Sequence, residues 1–406
     1  MMQILGARKK AVPIIAPRAF VVLRMVAAPL AVVLGLSVAG AAVAGQARLL
    51  YAKCFTLEYT QGCKVLRVLS PWRDARVSFT CVLVPRGTKP PEDAPHGPGV
   101  TVLEVPVRRI VMTSISFVPM LALLGEEPLV GFTGLARVHT PAVAARIAQG
   151  LVSDVSAGGG SMIAMNMERL ELCRPEAVLV QAGGNPETDV HDKLREAGFP
   201  TLVEGSFMES SALGRAEWIK FLAALFDKED RAEALFADMV ARYRDIAVKA
   251  RNLDRRPKVL SGTPYRGLFH VPGGASFMAG LLADAGGDYL WKEDDSRGSI
   301  PLGLEAVVDK AAQAEIWVQV GAVRSLEELA ARDERLTMWP CFQQGLVFNN
   351  DLRVDRNGEN QFWEESSSRP DELLADIMGV IHPELLPGRE NVWFHRLPAR
   401  ADEVAR

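Results

Sequence analysis

Apolar positions recur along the chain with two different periods, and the change between them divides it. Between residues 49 and 85 the repeat is every second position, as in Val77, Phe79, Cys81 and Leu83. This predicts short strands over 49–59, 63–70 and 77–85, punctuated by Gln61-Gly62 and Ser70-Pro71, in a small antiparallel unit. Residues 86–100 are rich in Pro and Gly and read as a linker.

From residue 106 the pattern alternates between short buried runs and amphipathic stretches. Strands are predicted over 107–113, 129–132, 177–181 and 201–204, and helices over 117–124, 141–149, 167–173 and 188–197. Strand and helix in alternation mean a parallel sheet covered by helices on both faces. Helices over 210–226 and 229–252 follow. In the second, Ala232, Leu235, Phe236, Met239, Val240, Tyr243, Ile246, Ala247 and Ala250 recur at three and four. After Arg255-Arg256-Pro257 a second alternation begins, with strands over 258–261, 315–320 and 346–348 and helices over 277–285, 304–310, 325–331 and 371–381. The fold class is therefore α/β: two doubly wound, Rossmann-like lobes joined by one long helix, with a small N-terminal β extension. The expected boundaries are 1–44 leader, 45–104 extension and linker, 105–228 first lobe, 229–255 connecting helix, 256–398 second lobe and 399–406 tail.

The N-terminus changes the picture of where the protein works. Residues 25–44 are apolar, follow Arg8, Lys9, Lys10, Arg18 and Arg24, and end in Ala42-Val43-Ala44. That is the layout of a signal peptide with a small-x-small cleavage site. No Cys follows that point, which argues against a lipoprotein anchor, and the run is near the length that could stay as a membrane anchor. The expectation is cleavage after Ala44 and release to the periplasm. The five cysteines, Cys54, Cys63, Cys81, Cys173 and Cys341, form no Cys-x-x-Cys, and an oxidising compartment would allow a disulfide among them.

Composition excludes more than it assigns. Apolar residues make up 49% and charged residues 23%, the mix of a globular protein. The net charge is −3, and it becomes −8 once the five basic residues of the leader are removed, so nucleic acid is a poor partner. There is no Gly-x-x-x-x-Gly-Lys-Ser/Thr loop, no dinucleotide fingerprint, no Ser/His/Asp set and no His-Glu-x-x-His. No catalytic residue and no metal ligand set is expected.

Several local patterns carry a resemblance. They are Arg109-Ile110-Val111 leading to 117–125 and Val130-Gly131, Asn166-Met167-Glu168 followed by Arg174-Pro175-Glu176-Ala177-Val178, and Gly303-Leu304-Glu305 before Ala314-Glu315-Ile316-Trp317-Val318. Asn360-Gln361-Phe362-Trp363-Glu364, Arg369-Pro370-Asp371 and His382-Pro383-Glu384 belong with them. From about residue 105 to 398 the chain resembles the periplasmic substrate-binding proteins of ABC importers for iron–siderophores, haem and cobalamin. The resemblance implies a non-catalytic monomer without a cofactor, which captures a metal chelate between its lobes and delivers it to a permease dimer with its ATPase. It also implies that Glu168 and Glu305, one on each lobe, dock to permease arginines. A first-turn acid is also favoured by the helix dipole alone. An exported chelatase-like enzyme on paired lobes and an anchored ligand-sensing receptor are the alternatives.

Candidate ligand contacts follow from position. Tyr265, Arg266, Phe269 and His270 come just after the first strand of the second lobe, where doubly wound lobes bind ligands. Aromatic rings can stack on a flat macrocycle, and Arg can pair with carboxylate or catecholate oxygens. Ser161 and Met162, in a Gly-rich loop, would face them from the first lobe. Trp291 and Arg297 could close over the ligand, and Asn360 and Trp363 lie on a late polar loop. Trp317 and Phe348 read as core.

N-terminal sequencing of protein purified from its native host should begin at Gly45; an intact Met1 in the membrane fraction would refute cleavage.

Overall fold

The computed structural model describes residues 45–158 and 164–400. The leader therefore lies outside the described residues. Strands β1 (Gly45–Gln46), β2 (Phe55–Thr60), β3 (Cys63–Val68) and β4 (Phe79–Pro85) pair antiparallel in chain order. β5 (Val100–Val105) then joins β4 in parallel. A parallel neighbour cannot be reached by a hairpin, so residues 86–99 form a crossover rather than the expected linker. Ala94 of that crossover is buried against Cys63, Val65, Val82 and Val84. The extension is thus a five-stranded mixed sheet with its own packed face, larger than the expected meander.

The first lobe contains β6 (Ile110–Met112), α1 (Val118–Leu124), β7 (Leu129–Phe132), α2 (Pro141–Ala148), β8 (Ser153–Asp154), α3 (Met167–Cys173), β9 (Ala177–Gln181), α4 (His191–Glu196) and β10 (Thr201–Glu204). Its sheet is parallel throughout, in the order β10-β9-β6-β7-β8. Every residue of β6 and β10 is buried, as expected of strands covered on both faces. The chain builds outward from β6 in one direction and then returns to add β9 and β10 on the other side. The reversal places a topological switch point between β6 and β9.

Two helices lead to the second lobe. α5 (Ala212–Ala224) starts at Ser211, whose hydroxyl caps Gly214 N–H, and it is buried all round, including Glu217 and Lys220. α6 (Glu229–Ala247) continues in a 3₁₀ turn to Ala250. Ala232, Phe236, Met239, Val240 and Tyr243 form its buried stripe, and its outer face is polar. The first-turn acids Glu229 and Asp230 suit the positive end of the helix dipole.

The second lobe contains β11 (Lys258–Ser261), β12 (Thr263–Tyr265), β13 (Leu268–Pro272), α7 (Phe277–Asp284), β14 (Asp288–Tyr289), β15 (Ser299–Leu302), α8 (Leu304–Ala311), β16 (Ile316–Val318), α9 (Leu326–Ala330), α10 (Pro340–Gln343), β17 (Val347–Asn349), α11 (Phe362–Glu365), α12 (Pro370–Ile381) and β18 (His395–Arg396). Its main sheet runs β14-β11-β16-β17-β18, parallel except for β18, so its switch point lies between β11 and β16. A separate antiparallel sheet, β12-β13-β15, stands after the end of β11. All five cysteines are buried and free.

The added sheet is joined to the lobes by one continuous core and by two buried carboxylates. Phe55 of β2 packs on Trp218 and Phe221 of α5 at ring separations of 4.7 and 5.6 Å. The Glu217 carboxylate accepts the N–H groups of Leu50, Tyr51 and Ala52 at 2.7–3.0 Å and pairs with Lys220 at 3.1 Å. Glu209 accepts Lys53 N–H, Cys54 N–H and the indole N–H of Trp218 at 2.8–3.0 Å. A buried carboxylate is tolerated because these donors replace the water it gave up.

Glu217→Ala should cost about 3–5 kcal/mol in urea unfolding, since it strips Lys220 of its buried partner and leaves the N–H groups of residues 50–52 without their acceptor. Glu233→Ala, which removes the exposed second partner of Lys220, should cost less than about 1 kcal/mol. Equal small losses would show that the Glu217 cluster does not hold the sheet.

Candidate functional site

The carboxyl ends of the switch-point strands fix where a ligand would sit. In the first lobe these ends carry Thr113 and Ser114 after β6, and the Gly183-Gly184 turn after β9. Thr113 accepts Gln181 N–H on its hydroxyl at 3.0 Å, which ties the two strand ends together. Asp189 holds the turn, accepting Gly183 N–H at 2.9 Å and Gly184 N–H at 2.7 Å. Ser161 and Met162, expected to face the ligand from this lobe, lie outside the described residues.

In the second lobe the expected loop after β11 is a two-residue hairpin. Arg266 and Gly267 occupy its turn with φ of 50° and 78°, the left-handed pair of a type I′ turn. The turn lifts Tyr265 to the hairpin edge, 52% exposed, with the Arg266 guanidinium 5.1 Å from its ring. Beside it opens a cavity of about 390 Å³, lined by Tyr265, Arg266, Leu304, Arg332, Arg335 and Leu336 among others. His270 is half-buried on the next strand, its ring 6.1 Å from that of Tyr265. After β16, Gln319 takes φ 59°, and its side-chain carbonyl accepts Ser261 Oγ at 3.4 Å across the switch point.

Two expected ligand contacts point inward. Phe269 is buried against Trp317 and Trp339, at ring separations of 5.9 and 5.8 Å. Position after a strand end did not reveal this, because pairing in β12-β13 sends alternate residues to opposite faces. Trp291 is also buried, beside Tyr289 and under the Lys310 ammonium. Arg297 is exposed on the loop before β15. Asn360 bonds within its own loop, donating to Asn350 O and accepting Phe362 N–H. Trp363 is 62% exposed. Glu168 and Glu305 are exposed in the first turns of α3 and α8. Glu305 meets Arg335 at 3.2 Å, and Arg335 is also gripped by Asp333. A hydrogen bond from its own backbone N–H and the Arg335 guanidinium hold the Glu305 carboxyl below its ordinary range.

The loop from β17 to α12 reaches across to the first lobe. Glu364 accepts His139 N–H at 2.6 Å, and Thr140 N–H at 3.0 Å with its hydroxyl at 2.6 Å. Burial raises its carboxyl pKa, and the three donors oppose the rise. Glu364, Trp72, Arg332 and Arg335 were not singled out in the sequence; their roles come from partners remote in the chain.

The sequence profile of the periplasmic binding protein family matches residues 110–345. The chain belongs to that family. It is a solute-binding protein rather than an enzyme. Among solved structures it is similar in fold to a possible iron-binding, periplasmic solute-binding protein of Staphylococcus epidermidis (15% identity, TM-score 0.52, covering 68% of this chain and 99% of that one). A periplasmic haem-binding protein of Pseudomonas aeruginosa gives 19% identity and a TM-score of 0.52, covering 68% and 93% of the two chains. A Helicobacter pylori protein in complex with nickel and histidine gives 17% and 0.54, covering 71% and 87%. An uncharacterised lipoprotein of Methanocaldococcus jannaschii is 24% identical over 308 residues, 73% of this chain and 70% of that protein.

Glu364→Gln places an amide N–H₂ against one of the donors of the first lobe. It should speed hydrogen exchange at the His139 and Thr140 amides by roughly 5–100-fold, the equivalent of about 1–3 kcal/mol. Unchanged protection there would mean that Glu364 does not hold the lobes together.

Proposed function

We propose that this periplasmic binding protein captures a metal chelate, an iron–siderophore, haem or a corrinoid, between its lobes and delivers it to an ABC permease with its ATPase. One observation carries the reading. Among the described residues the exposed large aromatic side chains are Tyr265 and Trp363, at the end of β12 and in α11, segments that follow the carboxyl ends of β11 and β17. An exposed ring is costly to keep in water and useful to a flat or apolar ligand. Arg266 beside Tyr265 adds a cation for chelate oxygens. The iron-binding and haem-binding names of the structural neighbours agree with this ligand class.

Export through a cleaved leader fits the same role. The Methanocaldococcus relatives are named lipoproteins. In this chain the first cysteine is Cys54, only 1% exposed and with its N–H bound to Glu209. A lipidated cysteine must be a free, exposed N-terminus, so release after Ala44 is the better reading. Glu168 and Glu305 are the docking residues of this proposal, with Arg335 holding the Glu305 carboxylate until a permease arginine meets it.

Glu168→Ala combined with Glu305→Ala should leave folding and ligand affinity intact, since exposed carboxylates contribute within about 0.5 kcal/mol. The same pair should abolish uptake, because an unpaired permease arginine costs about 2–5 kcal/mol in a buried interface. Tyr265→Ala or Trp363→Ala should weaken binding of a chelate in fluorescence titration while permease association persists. Normal uptake by the double Glu variant, or loss of ligand instead, would refute the docking assignment.

A further inference from the structure

Among the described residues the two most exposed large apolar side chains are Leu172, at 81%, and Met338, at 72%. A single exposed apolar residue is ordinary and carries nothing by itself. What matters is where these two stand: each lies beside a docking acid, one on each lobe. In α3, Glu168 and Leu172 are four residues apart, so they share one face of the helix, and both are exposed. Leu170 and Cys173 carry the buried side of that helix, so the face with Glu168 and Leu172 is not spent on packing. Glu168 makes no ion pair among the described residues.

In the second lobe the same pair is assembled from two segments. Glu334–Met338 form a 3₁₀ turn, in which side chains three apart eclipse one another. Met338 therefore shares an edge with Arg335, and Arg335 meets Glu305 at 3.2 Å. Asp333 fixes that edge, accepting Arg335 N–H at 3.0 Å and Nε–H at 2.9 Å and pairing with Nη2 at 2.7 Å. Leu336 of the same turn is buried, while Met338 stays in water. Helix geometry in one lobe and a 3₁₀ edge in the other thus produce the same combination, a carboxylate with a protruding apolar side chain beside it.

We propose that Leu172 and Met338 are the apolar anchors by which the protein holds its permease, each entering a shallow apolar recess next to the arginine that Glu168 or Glu305 meets. This rests on the docking reading above and adds what the carboxylates do not supply. Exposed charges steer the encounter and fix orientation, and salt screens them. An apolar side chain desolvated inside the interface slows dissociation instead. A partner built of two like halves meets the same acid and anchor on both lobes, which suits a permease dimer. A lipid surface suits the pair less, because anionic headgroups repel the acid beside each anchor.

The test is surface plasmon resonance of the mature protein on nanodiscs that hold its ABC permease–ATPase complex from the native host, with lipid-only nanodiscs in parallel. Leu172→Ser with Met338→Ser should weaken binding roughly 10–100-fold, chiefly through faster dissociation, with the salt dependence of association unchanged. Leu172→Met with Met338→Leu, which keeps volume and apolarity, should bind like the unsubstituted protein. Glu168→Gln with Glu305→Gln should slow association and flatten its salt dependence. Leu172 and Met338 are exposed, so melting temperatures of their variants should match the unsubstituted protein. Full affinity in the double Ser variant, while the double Gln variant binds weakly, overturns the anchors and leaves the docking acids in place. Full affinity in the double Gln variant, or no binding by the unsubstituted protein, refutes the docking reading, and the anchors fall with it. Binding to lipid-only nanodiscs, or a dimer in sedimentation, that the Ser pair abolishes would assign the two side chains to a membrane or to a second copy and overturn the proposal.

Discussion

The structure depends on carboxylates that leave water to collect backbone N–H groups. Glu217 gathers residues 50–52, Glu209 gathers residues 53 and 54, Glu364 gathers residues 139 and 140, and Asp376 gathers residues 392–394. Each joins segments that no strand or helix joins. An ionised acceptor makes stronger bonds than a carbonyl and can serve several donors at once. It is also costly if any donor is lost, so each cluster fixes its two segments in a single arrangement.

This explains how a five-stranded sheet can be added to a two-lobed protein without behaving as a separate domain. The sheet packs Phe55 onto Trp218, and Thr101 of β5 donates to Thr201 O of β10 at 2.9 Å. Its β5 thereby shields the start of an edge strand that would otherwise present free backbone groups. The same attachment sets Trp72 against Gly184 and Arg73 against Gly298.

The lobes meet through α5, buried on all sides, and through the Glu364 bridge. A helix packed this completely is a poor hinge, because bending it would open cavities among close-packed side chains. Small adjustments of loops fit such a frame better than a wide closure. A frame of this kind is largely preformed, which lowers the ordering cost of binding a solute.

Much of this was legible in the chain itself. Period and punctuation placed β9, β10, β11 and α3 within a residue or two, and the start of α6, which ends at Ala247 and a 3₁₀ turn rather than at 252, since local propensity and burial on one face agree there. Tyr265, Arg266, Glu168, Glu305 and Trp363 were singled out from position and motif, and the fold leaves all five exposed. The hairpin geometry, the inward turn of Phe269 and Trp291, and the parallel seat of β5 were not. Each depends on which partner strand or packed face a segment finds, and a sequence does not record partners remote along the chain. The same holds for Glu364, Glu217 and Trp72. Their neighbours in sequence are ordinary, and their roles arise only when folding brings them against backbone or rings more than about 100 residues away. The sequence by itself determined the alternation of elements, the two lobes and the exposed acids and rings, because those follow from local periodicity. Tertiary structure decided which buried carboxylates hold the lobes and the added sheet, because that follows from long-range desolvation.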